Sequence, residues 1–175
     1  VVVDFGFVGD IEFVNAGVLE HLLEGGFVPV IACLGAGPTG EVLNINADSI
    51  AEAVARALRA EKLLILTDTD GVLRDVNDPR SLVSYVDVEG IEKLKAAGSL
   101  AGGILPKVDA CIRAIKGGVP RRHFLNGVRP DALLLETFTN AGCGTMIVDR
   151  LEAQSYQQEE LESSAEAAPT AAEAR

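Results

Sequence analysis

Strand-like and helix-like stretches alternate along this 175-residue chain, which predicts an α/β layer fold on a mainly parallel sheet. Two short runs, residues 27–32 and 63–67, are almost wholly apolar, as befits strands covered on both faces. Apolar residues recur at helical spacing elsewhere: Ile50, Val54 and Leu58 in one stretch, Val108, Cys111, Ile112 and Ile115 in another. Glycine pairs at Gly25-Gly26 and Gly117-Gly118 close helical stretches, where a left-handed residue is favoured. Sheets of this kind bind ligands beyond the carboxyl ends of their strands.

The first fourteen residues hold short apolar runs around Gly6 and Gly9 and are expected to form strands or a hairpin. Asn15 is expected to cap a helix carrying Val18, Leu19, Leu22 and Leu23, and Gly25-Gly26 to end it. Residues 27–32 follow as a buried strand, although Pro29 removes one ladder donor. Gly35-Ala36-Gly37-Pro38-Thr39-Gly40 matches the letters of GxGxxG, but extended Glu41-Val42-Leu43 follows where a helix must begin. Glu41 also stands where a P-loop needs lysine, so a plain turn is expected. At Asn44-Ile45-Asn46-Ala47-Asp48 a strand gives way to a helix over 47–60, with Asn46 or Asp48 as N-cap. Three polar residues in five exceed what one cap needs.

A buried strand at 63–67 runs into the polar loop Asp68-Thr69-Asp70-Gly71-Val72-Leu73. Residues 74–84 read as exposed loop with a turn at Asn77-Asp78-Pro79. Asp87 caps a short helix bearing Ile91 and Leu94, which ends near Gly98. Ser99-Leu100-Ala101-Gly102-Gly103 is expected to be flexible and to expose backbone, and Pro106 sits where a first helical turn tolerates it. A strand over 121–126, a helix over 131–138, a glycine loop over 139–144 and a last strand over 145–148 complete a domain spanning 1–150. Residues 151–175 are rich in alanine and glutamate, and their six glutamates against one arginine carry nearly half the net charge of −11. This tail is expected to be disordered and is assigned no chemistry.

Apolar residues make up 48% of the chain and charged residues 23%, ordinary values for a soluble globular domain. The acidic balance argues against a nucleic-acid surface and against anionic membranes. No apolar run approaches the ~18 residues of a membrane span, and the start lacks the features of a secretory signal. The chain begins at Val1 without a methionine, so a fragment of a longer protein is expected. Cys33, Cys111 and Cys143 are odd in number, far apart and without CxxC spacing. They are expected to be small buried residues in a reducing cytoplasm. His21 and His123 lack metal-ligand spacing, and no protein-held metal is expected.

Two stretches are candidates for chemistry on local grounds. The loop Asp68–Leu73 follows a buried strand, where a loop can wrap a nucleotide. Lys107, beside Pro106 and after two glycines, can place an ammonium near a phosphate. Set in order, Val3-Asp4-Phe5-Gly6-Phe7-Val8-Gly9, Gly25-Gly26-Phe27-Val28-Pro29-Val30-Ile31, Leu43-Asn44-Ile45-Asn46-Ala47-Asp48, Leu66-Thr67-Asp68 with Gly71-Val72-Leu73, and Gly102-Gly103-Ile104-Leu105-Pro106-Lys107-Val108 resemble acetylglutamate kinase, of the amino acid kinase family. Each piece is weak alone, and the order makes them specific.

The resemblance implies a three-layer αβα sandwich and phosphorylation of the side-chain carboxylate of N-acetyl-L-glutamate by ATP with Mg2+, in arginine biosynthesis. It implies that Asn44 holds the acetylated amino acid, that Lys107 stabilises charge on the transferring phosphoryl, and that Asp48 orients lysines rather than acting as a base. Asp68, Thr69, Asp70, Gly71, Val72 and Leu73, with Ser99, Leu100 and Ala101, would contact the nucleotide. His123, Glu136 and the backbone near Gly144 resemble the arginine-inhibited branch and would form an effector site for arginine. The resemblance further implies that the family's N-terminal half, with its phosphate-binding lysine and substrate-gripping arginine, lies outside this chain. The chain alone is then expected to be catalytically crippled, and the intact parent to be a homo-oligomer. Two alternatives share most of these motifs: a kinase acting on carrier-bound aminoadipate in lysine biosynthesis, and a non-catalytic arginine-sensing domain.

Overall fold

The computed structural model describes residues 5–75, 77–100, 104–139 and 142–149. Ala101, Gly102 and Gly103, the tip of the 139–144 loop and the acidic tail lie outside the described residues. The elements are α1 (Ala16–Glu24), β1 (Leu34–Ala36), β2 (Val42–Asn44), α2 (Ala47–Ala57), β3 (Lys62–Thr67), β4 (Tyr85–Asp87), α3 (Val88–Ala96), α4 (Ile104–Lys116), β5 (Arg121–Asn126), α5 (Ala132–Phe138) and β6 (Thr145–Val148). The main sheet has the order β3-β5-β6-β4. Its β3–β5 and β4–β6 pairings are parallel and its β5–β6 pairing is antiparallel, so the sheet is mainly parallel, as expected.

Strand alternation and register place Leu63, Ile65, Phe124 and Ile147 on one face of the sheet. There they form the core with Ala55 of α2, Ile91 of α3, and Val108, Cys111 and Ile112 of α4. The opposite face of β5 packs against α5. Helices on both faces of a mainly parallel sheet give the αβα layering. Helix α2 begins because Asn46 caps it: its Oδ1 accepts the N–H groups of Asp48 (2.9 Å) and Ser49 (3.2 Å). Asp87 caps α3 in the same way, accepting from the Gly90 N–H at 2.7 Å. Gly35–Gly40 is a turn: β1 and β2 pair antiparallel around it, and the Gly40 N–H reaches the Gly37 carbonyl at 3.0 Å.

Several expectations need correction. Residues 27–32 form no strand; Val28 and Val30 are 87% and 95% exposed. The run has strand composition, but among the described residues no strand pairs with it, and a strand without a ladder has unmet N–H and C=O groups. Residues 5–14 form no hairpin; Val8 instead makes one parallel bridge to Asn44. Helix α1 exists and ends at Gly25, with Gly26 at φ +79°, but it buries no residue and Asn15 makes no side-chain cap bond. Strand β4 follows the stretch expected to be loop and has no counterpart in the sequence reading, because three residues are too short for a period-2 signal. Leu100 is buried in the core rather than in an open flexible segment. Of the cysteines only Cys111 is fully buried, whereas Cys33 is exposed and Cys143 intermediate.

Phe124 is fully buried at the centre of the core, and Phe138 at the end of α5 is 79% exposed. Phe124→Ala should lower unfolding free energy by about 3–5 kcal/mol, while Phe138→Ala should leave it within about 0.5 kcal/mol. Urea unfolding of the two variants followed by circular dichroism checks the contrast.

Candidate functional site

The parallel pairing of β3 with β5 decides where the candidate residues meet. Helix α2 precedes β3 and α4 precedes β5, each returning along its strand, so both helix N-termini lie at the strands' carboxyl ends. The two helices pack against each other. Asp48 lies in the first turn of α2 and Lys107 in the first turn of α4, and the packing brings them together across 59 residues of sequence. The Lys107 Nζ donates to both carboxylate oxygens of Asp48, each at 3.1 Å. Their side chains are 27% and 17% exposed, so the pair is largely withdrawn from water yet open on one side.

A second charged layer lies one turn further along α2. Buried Glu52 accepts from Arg56 at 3.0 Å and faces Arg113 of α4 at 3.8 Å. Cys111, one turn past Lys107, is fully buried, and burial pushes its thiol up to about 12. It stays a neutral packing group beside the pair. Asn44 ends β2 four residues before Asp48 and is exposed; its backbone N–H donates to the Phe7 carbonyl at 2.8 Å.

The loop after β3 has two parts. Asp68, Thr69 and Asp70 are exposed, whereas Gly71 and Val72 are buried and Leu73 is partly so. Thr67 Oγ1 donates to Asp68 Oδ1 at 3.1 Å, and Asn126 Nδ2 to Asp70 Oδ1 at 2.8 Å. The Val72 N–H donates to Thr145 Oγ1 at 2.9 Å, and the Val72 carbonyl accepts from the Val83 N–H at 2.8 Å. Ser99 is partly buried and Leu100 lies in the core, so these two side chains are not part of an open loop. Sequence reading missed Asn126, Thr145 and Glu52. Asn126 carried a signal as an asparagine before glycine at a strand end, but Thr145 looked like any strand opener.

His123, Glu136 and Gly144 do meet, on the face of the sheet covered by α5. His123 Nδ1 and Glu136 Oε1 are 2.7 Å apart, with side chains 7% and 6% exposed. Glu136 Oε2 accepts the N–H groups of Cys143 at 2.6 Å and Gly144 at 3.1 Å. His123 Nε2 is buried and has no hydrogen-bond partner among the described residues. Burial pushes the Glu136 carboxyl up, but the His123 bond and the two amides outweigh it and hold the group below its ordinary 4.5. Among the described residues no group of three or more His, Cys, Asp or Glu gathers as metal ligands. No helix among them is long and apolar enough to cross a membrane.

Layered helices on a mainly parallel sheet, with a partly buried acid–lysine pair where two helix N-termini converge, define an α/β domain with a charged pair at its strand ends. The chain belongs to the amino acid kinase family, whose sequence pattern matches residues 2–126. It is 48% identical over 145 residues to the acetylglutamate kinase of Moorella thermoacetica, covering 83% of this chain and 49% of that protein. It is 50% identical over 146 residues to that of Symbiobacterium thermophilum, with 83% and 50% covered. The chain thus spans about half the length of these relatives. Among solved structures, N-acetylglutamate synthase from Neisseria gonorrhoeae complexed with coenzyme A and L-arginine superposes with a TM-score of 0.76 at 30% identity, covering 85% of this chain and 34% of that one. Carbamate kinase from Giardia lamblia bound to AMP-PNP gives 0.57 at 25% identity, with 79% and 46% covered.

The depressed Glu136 carboxyl has a consequence for stability. A group held below its unfolded value stabilises the fold above that value and loses this contribution as pH falls through the folded one. Stability should therefore decline below about pH 4.5, and Glu136→Gln should flatten the decline. Urea midpoints measured from pH 3 to 7 on both proteins check this.

Proposed function

We propose that this chain supplies the nucleotide-binding half of an acetylglutamate kinase, which transfers the γ-phosphoryl of MgATP to the side-chain carboxylate of N-acetyl-L-glutamate. The Asp48–Lys107 pair carries the reading. A helix N-terminus is a positive pole, where a carboxylate is favoured and an ammonium is not. Lys107 therefore sits where it weakens its own helix, and an anion bound at the crevice would repay that cost. Two helix N-termini and an ammonium suit a phosphoryl group carrying charge on its equatorial oxygens. Asp48 holds the ammonium in place and accepts no proton from substrate, because a carboxylate acceptor is already a nucleophile. Catalysis then consists of positioning and charge stabilisation, as in phosphoryl transfer generally. Asn44, at the rim, would hold the acetylated amino acid.

The exposed acids Asp68 and Asp70, with Thr69 and the backbone of Gly71, Val72 and Leu73, would line the nucleotide's side of the crevice. Mg2+ enters as part of the substrate, coordinated by the phosphates of ATP. The AMP-PNP complex of the carbamate kinase neighbour supports an adenine nucleotide, and the acetylglutamate kinases among the relatives support the acceptor. In a protein that joins this chain to the substrate half its relatives carry, Lys107→Ala should lower kcat about 100–1000-fold with little change in KM for ATP. ADP release dependent on acetylglutamate measures it, and an unchanged kcat removes Lys107 from the mechanism. The 175-residue chain alone should show no such release.

A specific cluster favours an arginine response as a second reading. Glu136 is a buried carboxylate beside two backbone amides, and a guanidinium can replace His123 as its partner. The arginine complex of the synthase neighbour supports this. Arginine titrated calorimetrically should bind, and Glu136→Gln should abolish binding. Arginine binding without any ATP binding would instead favour a sensing domain over a kinase half.

A further inference from the structure

We infer that Thr145 is a positioning residue for the nucleotide loop, holding residues 68–73 against the sheet from 73 residues away. The inference rests on the nucleotide reading of that loop given above. Thr145 is fully buried at the amino end of β6, and its Oγ1 is the acceptor for the Val72 N–H at 2.9 Å. The approach is close: a Cβ placed on Gly71, at φ +142°, would lie 2.5 Å from that oxygen and 3.2 Å from the Thr145 backbone nitrogen. Glycine is required at Gly71 both by the backbone angle and by the hydroxyl it rests on.

Val72 donates its N–H to a side-chain oxygen, that of Thr145, in place of a ladder carbonyl. Its carbonyl is already held by Val83, and its side chain is fully buried. Removal of the Thr145 oxygen strands the N–H in the core, and the loop must lift toward water to satisfy it. Such a lift carries Asp68, Thr69 and Asp70 with it, since they lead directly into Gly71. The strut is anchored at its far end as well: Glu136 Oε2 grips the Gly144 N–H, immediately before Thr145. Asn126 makes a second, exposed tie to Asp70. Thr145 is the buried one, and the one whose chemistry depends on a single oxygen.

Thr145→Val keeps the shape and removes the acceptor, and Thr145→Ser keeps the acceptor. ATP is titrated calorimetrically into the 175-residue chain and both variants, with exchange of the Val72 amide followed by NMR. The Val form should bind ATP about tenfold more weakly and exchange its Val72 amide faster, and the Ser form should match the unsubstituted chain within about twofold. ATP binding by the Val form as tight as by the unsubstituted chain overturns the inference. Should the Val form fail to fold, the Ser form decides: matched affinity supports the role of the hydroxyl, and a tenfold loss overturns it. No ATP binding by the unsubstituted chain overturns the nucleotide reading, and with it the role of Thr145, and is distinct from both other results.

Discussion

The contact between Asp48 and Lys107 governs how the rest of the molecule is to be understood, because it is made at a place where structure alone gives no reason for it. Its Coulomb energy is modest at this exposure and is screened by salt. The packing of α2 on α4 is secured by Ala55, Val108 and Cys111, which need no ion pair above them. Asp48 alone would suit the start of α2, where Asn46 already caps and the pole is positive. Lys107 alone would be misplaced at the start of α4. Together they form a unit in which the carboxylate fixes an ammonium and leaves part of it exposed. The sheet, the two helices and the Asn46 cap of α2 bring that unit to the strand ends.

The charge of the whole chain sharpens the point. At −11 the molecule repels anions at long range, so the proposed affinity for a phosphate would have to come from groups concentrated at one spot. Partial burial supplies that concentration: at 27% exposure Lys107 is screened less than a surface lysine, and the converging helix poles add to its field without adding charged residues. One turn further along α2, the buried carboxylate of Glu52 is matched by Arg56 and Arg113.

The parts of this arrangement that were legible in the sequence share a local cause. Residues 47–60 read as a helix because Asn46 or Asp48 can cap them and Ile50, Val54 and Leu58 repeat at helical spacing, and the helix runs over Ala47–Ala57 with Asn46 as its cap. Residues 121–126 and 145–148 read as strands between turn signals, and Gly35–Gly40 read as a turn because extended residues follow it. Residues 27–32 were misread because composition reports what a segment would do with a partner and carries no word on whether one is present. Local signals drew notice to the polar turn Asn44–Asp48 and to Lys107 after two glycines, but only the resemblance gave Asn44, Asp48 and Lys107 distinct roles. Thr145 was beyond reach, since its importance lies in a contact 73 residues away, and no local pattern encodes that.

That contact also joins two regions that strand alternation separates. On β5, His123 and Phe124 point to opposite faces, so the His123–Glu136 pair and the Asp48–Lys107 pair are divided by the sheet. A route through the core would have to move close-packed groups such as Phe124 and Ile147, which resist displacement. The backbone step from Gly144 to Thr145 avoids the core, because Glu136 holds the first residue's amide and the second residue's hydroxyl holds Val72. One peptide unit thus spans both faces at the sheet's end. The Glu136 contact and the contact to the loop after β3 are separated by that peptide unit alone.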